Sequence, residues 1–272
     1  MRNPGTVSHG SYRPQTGDEN ATALDRALAI LHLLIRHDYP LSLSEISERL
    51  DIPKPTVHRL LARLLANGHL TRDLAGRSFA VGPQLRELSI GALASVIRQA
   101  SQMAALEALT RETGESCNVG VQDGGSVVIV ERIESTWPIR VHLAAGMRLP
   151  LHATALGKLF LSRMSRSQRQ RYYEASRLEA NTQWTITDPA ALEVDLTRIR
   201  AEDVAFNDQG YLPGIIGIAV PIRPRNARKR FVAGLSLQTS QPRIPADGVA
   251  SFVPILRETA ATLARAIHAE DE

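Results

Sequence analysis

Residues 42–81, SLSEISERLDIPKPTVHRLLARLLANGHLTRDLAGRSFAV, read as helix, tight turn, helix and a short basic β-hairpin. Ser42 and Glu45 stand at the S-x-x-E spacing with which two side chains satisfy free backbone amides at a helix start. Leu43, Ile46 and Leu50 then share one face, and Asp51-Ile52-Pro53 supplies the turn between two crossing helices. Pro55 fits the first turn of the second helix, where its missing N–H costs nothing. Val57, Leu60, Leu61 and Leu64 give that helix an apolar stripe and leave Thr56, His58, Arg59 and Arg63 on other faces. Asn67-Gly68 closes it, glycine tolerating the left-handed cap. Upstream, Leu24, Ala27, Leu28, Leu31 and Leu34 recur at helical spacing, which predicts a preceding helix that completes a three-helix core through those residues. The unit is a winged helix-turn-helix, an architecture for reading duplex DNA.

Charge points the same way. Between Lys54 and Arg77 the chain holds Lys54, Arg59, Arg63, Arg72 and Arg77 against Asp73 alone, a local net of +4, and the whole chain is also only +4. The basic excess thus sits where a helix start and a hairpin tip meet phosphates. A double-stranded operator is the partner implied. Lys54 and Thr56 fall near phosphates, His58, Arg59 and Arg63 toward base edges, and Arg72 and Arg77 on the two arms of a wing whose tip turns at Gly76.

The chain is 272 residues long, which suits two domains, and the winged unit occupies only residues 21–82. Residues 1–20, rich in Gly, Pro, Ser and Asn, read as a disordered arm without the apolar core of a signal peptide. No apolar run approaches the length of about 18 residues that spans a bilayer, so no membrane partner and a cytoplasmic location are expected. Cys117 is the only cysteine, which excludes an intramolecular disulfide and a multi-cysteine zinc site.

Residues 83–99 read as a linker helix with Leu85, Leu88, Ala92 and Val96 at helical spacing, a face suited to a partner subunit. Residues 100–272 form the second domain. A helix through Met103, Leu106 and Leu109 stops at Gly114. CNVGVQ, the turn Asp123-Gly124-Gly125 and SVVIVERI then give a hairpin, and Ile139, Val141 and Leu143 alternate as a further strand. Two nearly all-apolar runs, Ile215–Val220 and Phe231–Gln238, read as buried central strands. Alternation puts Ile215, Gly217 and Ala219 on one face of the first, and Val232, Gly234, Ser236 and Gln238 on one face of the second. Glycine in a buried strand marks a close approach, either by a ligand or by a packed helix. Residue pattern alone supports a small polar cavity and tight helix-on-sheet packing equally.

Several stretches together resemble the isocitrate lyase regulator (IclR) family of bacterial transcription factors: IPKPTVHRLLARLLANGHL, VGPQLREL, GMRLPLHATALGKLFLS and GIIGIAVPI. The resemblance runs from Thr22 to His268, and HATALGK matches the family's H-x-[ST]-x-x-GK signature. It implies an α+β protein in which the winged head is joined by a helix to a GAF-like α/β effector-binding domain. It also implies a homodimer or dimer of dimers, an operator, and a small organic or aromatic acid as effector. By position, the resemblance places pocket-lining roles on Ala155 and Leu156 at a helix start, Asn207 or Asp208 in a loop, Ile215 and Gly217, and Ser236 and Gln238. Amides at Thr154–Leu156 would favour a carboxylate. The chain departs from the family at Gln238-Thr239-Ser240 and at Gln209-Gly210, so the effector's identity does not carry over.

Catalysis finds little support. His152, Lys158, His142 and Cys117 are the candidate groups, but the chain lacks G-x-S-x-G, H-E-x-x-H and G-x-x-x-x-G-K-[ST]. His152 before a helix suits loop orientation, Lys158 suits snorkelling or a carboxylate partner, and Cys117 suits a small buried hydrophobe. A metal held by Cys117 with histidines stays open, although no cofactor, catalytic residue or metal ligand is expected. A constitutive architectural binder is the alternative, with Gly217 and Gly234 weighing against it. The run RPRNARKR, Arg223–Arg230, reads as a solvated hairpin loop.

Overall fold

The computed structural model describes residues 21–37, 39–73, 76–137, 143–223, 233–241, 243–244 and 248–267. The proposed arm at 1–20, His142, the strand residues Ile139 and Val141, the start of the last strand at Phe231 and Val232, and the Arg-rich run beyond Arg223 lie outside the described residues. The chain divides into two compact units, one ending at Gly91 and one beginning at Ala92.

In the first unit, helix α1 (Ala23–Arg36) opens on a capping box between Thr22 and Asp25. Strand β1 (Leu41–Ser42) leads into α2 (Leu43–Leu50), where Ser42 caps and Glu45 reaches back to the Ser42 amide. Asp51, left-handed at φ 51°, ends α2 and turns the chain into α3 (Lys54–Ala66). Strands β2 (Leu70–Arg72) and β3 (Ser78–Val81) form the wing, and β1 adds to it in the order β1-β3-β2. That third strand is two residues long and pairs Leu41 with Phe79, too short to leave a periodic signal. The core gathers Ile46, Leu50, Ile52, Val57, Leu60, Leu61, Leu64, Leu70 and Phe79 from α2, α3 and the wing.

Helix α1 corrects the sequence reading. Of the expected stripe, Leu34 is buried and Ala27 and Leu31 pack against the core, but Leu24 is 67% and Leu28 39% exposed, and the helix buries Ala29 and Ile30 instead. Apolar residues cover more than one side of this helix, so spacing alone fixed its face only approximately, and packing turned it toward Ala29 and Ile30.

Helix α4 (Pro83–Ile97) spans the division between the units and buries only Ala94 and Ile97, leaving Leu88 60% exposed. In the second unit, α5 (Ala100–Thr113) ends at left-handed Gly114. Strands β4 (Ser116–Asp123) and β5 (Ser126–Ile133) form the hairpin across Gly124-Gly125. There follow β6 (Arg148–Pro150), α6 (Ala155–Leu161), α7 (Arg166–Ser176), α8 (Pro189–Glu202), β7 (Ala205–Asp208), β8 (Ile215–Ile222), β9 (Ala233–Ser240), a 3-10 turn (Gly248–Phe252) and α9 (Val253–Ile267).

Among the described residues the six strands make one antiparallel sheet in the order β6-β5-β4-β9-β8-β7. Helices α5 and α9 pack on one face, and α6, backed by α8, packs on the other. Every residue of α6 is buried, which requires its one charge, Lys158, to find a partner inside.

Candidate functional site

The first candidate surface lies on α3 and the wing. With Val57, Leu60, Leu61 and Leu64 turned into the core, Lys54, His58, Arg59 and Arg63 are exposed and Thr56 is half-buried. Among the described residues no ion pair engages Lys54, Arg59 or Arg63, so their charge is offered outward. The two wing arginines differ. The Arg72 guanidinium lies 4.9 Å from the centroid of Phe79, its cross-strand partner, and donates to the Gly76 carbonyl. Among the described residues Arg77 has only its backbone amide tied, to the Asp73 carboxylate. Amides of Ser78 and Arg77 on that carboxylate hold the Asp73 pKa below its ordinary value and keep it charged at the turn. Arg72 therefore holds the hairpin together as well as charging it.

The second site lies under α6. β8 and β9 pair Gly217 with Gln238 and Ala219 with Ser236, and β4 pairs Asn118 with Ser236 and Gly120 with Gly234. Directly opposed residues share a face, so the row of glycines and polar side chains meets α6. A cavity of about 30 Å³ lies there, lined by Asn118, Thr154, Ala155, Leu156, Asn207, Tyr211, Ile215, Gly217, Ser236 and Gln238, with Ile129, Leu149 and Leu212 completing the apolar wall. It holds little more than a water molecule or two.

The structure separates the residues that the sequence grouped. Ala155, Leu156, Asn207, Ile215, Gly217, Ser236 and Gln238 line the cavity. Asn207 does so from edge strand β7 opposite Gly217, not from a loop, and alternation puts Asp208 on the opposite, exposed side. The two glycines have different causes. A Cβ at Gly234 would lie 2.6 Å from a Leu156 methyl, so this glycine admits the helix. A Cβ at Gly217 would meet the Ala155 Cβ at 3.3 Å, a looser fit, and this glycine lines the void. The packing explanation thus holds for one glycine and the cavity for the other.

Thr154 was read from the sequence only for its backbone amide; Asn118 was not singled out, nor was Arg132, whose guanidinium bonds Asn118 Oδ1 at 2.6 Å and Gln238 Oε1 at 3.1 Å. Only the pairing of β4 with β9, across more than a hundred residues of chain, brings them to Ser236 and Gln238. Thr154 caps α6 through the Gly157 amide, which takes up one amide of the helix start; α6 is only seven residues long.

Of the groups weighed for catalysis, the three among the described residues are engaged structurally. His152 meets the Tyr172 hydroxyl at 2.7 Å and the Glu179 carbonyl at 2.9 Å, and burial lowers its pKa. Lys158 Nζ donates to Asp195 Oδ2 at 2.8 Å, so it is paired and not snorkelling. Burial acts against both charges, but Lys158 and Arg198 together keep Asp195 below the ordinary carboxylate range. Cys117 is fully buried beside Thr110 and Leu106, and burial raises its thiol pKa. No group of three or more His, Cys, Asp or Glu able to hold a metal occurs among the described residues. No described helix is long and apolar enough to cross a membrane.

Comparison with known proteins decides the family. The description "IclR helix-turn-helix domain" matches residues 23–74, and "Bacterial transcriptional regulator IclR C-terminal" matches residues 93–265. The chain belongs to the IclR family. A Cupriavidus necator protein named Probable transcriptional regulator SauR is 38% identical over 238 residues, 88% of this chain and 93% of that one. Among solved structures, a Microbacterium hydrocarbonoxydans IclR homolog complexed with 4-hydroxybenzoate superposes with TM-score 0.59 at 25% identity, covering 92% of this chain and 100% of that one. The inducer-binding domain of a double mutant of the Acinetobacter PobR transcription factor, in complex with 3-hydroxybenzoic acid, gives 0.53 at 31% identity over 59% and 94%. This IclR-family member is therefore a transcriptional regulator and not an enzyme, with the α+β architecture of its relatives and DNA as the partner of its helix-turn-helix unit.

Proposed function

We propose that the protein is a DNA-binding regulator whose operator binding is controlled by a small organic or aromatic acid held in the cavity between α6 and the sheet. The cavity carries the reading: concave, mostly apolar, with a few converging polar groups. Two solved relatives bind hydroxybenzoates, which supports the class of ligand. In this structure the void is too small for a benzoate ring, so binding must widen it, and the cost of opening subtracts from affinity.

The DNA contacts fall to Lys54 and Thr56 at phosphates, to His58, Arg59 and Arg63 at base edges, and to Arg72 and Arg77 on the wing. Residues 21–82 act as the reading head, 83–99 as the linker, and the remainder as the sensor. The outward apolar side chain of Leu88 supports pairing of the linker with a second copy, giving a dimer on a near-palindromic operator. Thermal-shift screening of the full-length protein against small organic and aromatic acids, beginning with 4- and 3-hydroxybenzoate, tests the sensor. An acid that binds the native state raises the melting temperature by an amount that grows with the logarithm of its concentration above the dissociation constant; no shift with any acid removes the sensor reading.

A further inference from the structure

The cavity's polar wall has a feature that its lining alone does not explain. Arg132 stands on β5 opposite Asn118, which stands opposite Ser236, which stands opposite Ala219, one row across four strands. Its side chain is 5% exposed and its Nε lies 3.5 Å from a carboxylate oxygen of Glu134, while another guanidinium nitrogen bonds the side-chain oxygens of both Asn118 and Gln238. A guanidinium has donors and no acceptor, so only the oxygen of each amide can face it, and the amide NH2 groups must turn away. Asn118 Nδ2 then reaches Ser236 Oγ at a long 3.4 Å. Among the described residues nothing accepts from Gln238 Nε2. Ser236 Oγ, already receiving that contact, has its proton free to donate.

We infer that Arg132 is a positioning residue that turns this wall into a set of donors, Asn118 Nδ2, Gln238 Nε2 and Ser236 Oγ, and thereby selects an anionic acid group over its neutral amide. The inference rests on the sensor reading above and specifies its chemistry. A carboxylate offers acceptors on both oxygens to such a wall. A carboxamide must turn its own NH2 against a donor and leave one of them unpaired in a buried site. Arg132 itself stays behind the amides and touches them, not the acid. Its charge is paired with Glu134, so its effect on the acid runs through the orientation of the two amides.

Calorimetry on the full-length protein tests this with matched probes: 4-hydroxybenzoate, 3-hydroxybenzoate and pyruvate, each beside its carboxamide. Wild type should favour the acid by about tenfold or more, the discrimination of a hydrogen bond to a charged group. Arg132→Met frees both amides to rotate and should bring the acid-to-amide ratio close to one. Arg132→Lys, still only a donor, should restore the preference in part. A merely structural role for Arg132 would weaken acid and amide alike and leave the ratio unchanged. Should Arg132→Met fail to fold, Gln238→Glu decides: its carboxylate can pair with Arg132 and places an acceptor where the acid needs a donor, so the acid should be lost and the amide kept. Acid binding with an unaltered ratio in the folded variants overturns the role of Arg132 and leaves the sensor standing. If wild type binds none of the acids, the sensor reading falls and this inference falls with it.

Discussion

Removing Asp195 should destabilise the second unit by an amount that the structure bounds. Lys158 lies at the centre of a wholly buried helix, 2.8 Å from Asp195, with side-chain exposures of 6% and 16%. In Asp195→Ala the ammonium keeps its burial and loses its counter-charge. It then stays charged at great cost or gives up its proton, and the second route sets a ceiling. From an ordinary value of 10.5 down to neutral pH is roughly 3.5 units, just under about 5 kcal/mol at 1.36 per unit. The expected loss at pH 7 is about 3–5 kcal/mol, the range for a broken buried pair. In the variant the folded-state pKa of Lys158 lies below its unfolded value, so the unfolded chain binds more protons and stability rises with pH. The penalty should shrink between pH 7 and 10. Lys158→Met should cost less, because Arg198 remains on Asp195, and the double variant should recover much of the loss. Urea unfolding followed by tryptophan emission isolates this unit, since both tryptophans, Trp137 and Trp184, lie in it. A loss below about 1 kcal/mol in Asp195→Ala, or one that does not change with pH, refutes a buried and dependent Lys158.

Further outcomes follow from the same geometry. Arg59→Ala should leave the melting curve unchanged and bring operator affinity toward that for random duplex, read by fluorescence anisotropy; equal loss on both duplexes would make Arg59 a phosphate contact. Arg77→Ala should lower the slope of log affinity against log salt by about one without loss of stability, whereas Arg72→Ala should also cost about 0.5–1 kcal/mol through its Phe79 contact. Ser42→Ala should destabilise the winged unit by about 1 kcal/mol, since it removes one half of the capping box of α2; a change within error means that the Glu45 half suffices. Gly217→Leu should crowd Ala155, which a Cβ would already meet at 3.3 Å, and cost about 1–3 kcal/mol. If it folds, it should bind DNA normally and lose the response to acid, and calorimetry showing acid affinity unchanged would place the pocket elsewhere.

The reading head was legible because its signals are local. A cap, a turn, an apolar stripe and a hairpin each sit within a few residues, as Ser42 with Glu45 and Asn67 with Gly68 show. The face of α1 was legible only in part: Ala27, Leu31 and Leu34 meet the core as their spacing suggests, but Leu24 and Leu28 do not, and only the packed partners choose Ala29 and Ile30 over them. In the sensor, alternation along β8 and β9 placed Gly217, Ser236 and Gln238 on one face, and the registers put them opposite one another and opposite Asn118. What the sequence could not supply was that non-local pairing, and with it the contribution of Asn118 and Arg132. It could not separate Gly234 from Gly217 either, since two glycines look alike until the atoms facing them are known. Asp208 was paired with Asn207 because a loop was expected there; a strand alternates its side chains, and only Asn207 faces inward.

The central claim is that acid in the cavity controls DNA binding, and coupled binding tests it most directly. Full-length protein is titrated onto a labelled duplex from the promoter that it binds, with and without a saturating amount of the acid that gives the largest thermal shift. The account predicts that the acid changes the dissociation constant for the duplex by about fivefold or more, the lower end of ordinary coupling between sites, and that Gly217→Leu abolishes the change while Arg59→Ala brings the duplex affinity toward that for random DNA. Identical duplex affinity with and without bound acid, in a protein that calorimetry shows to be saturated, would contradict it.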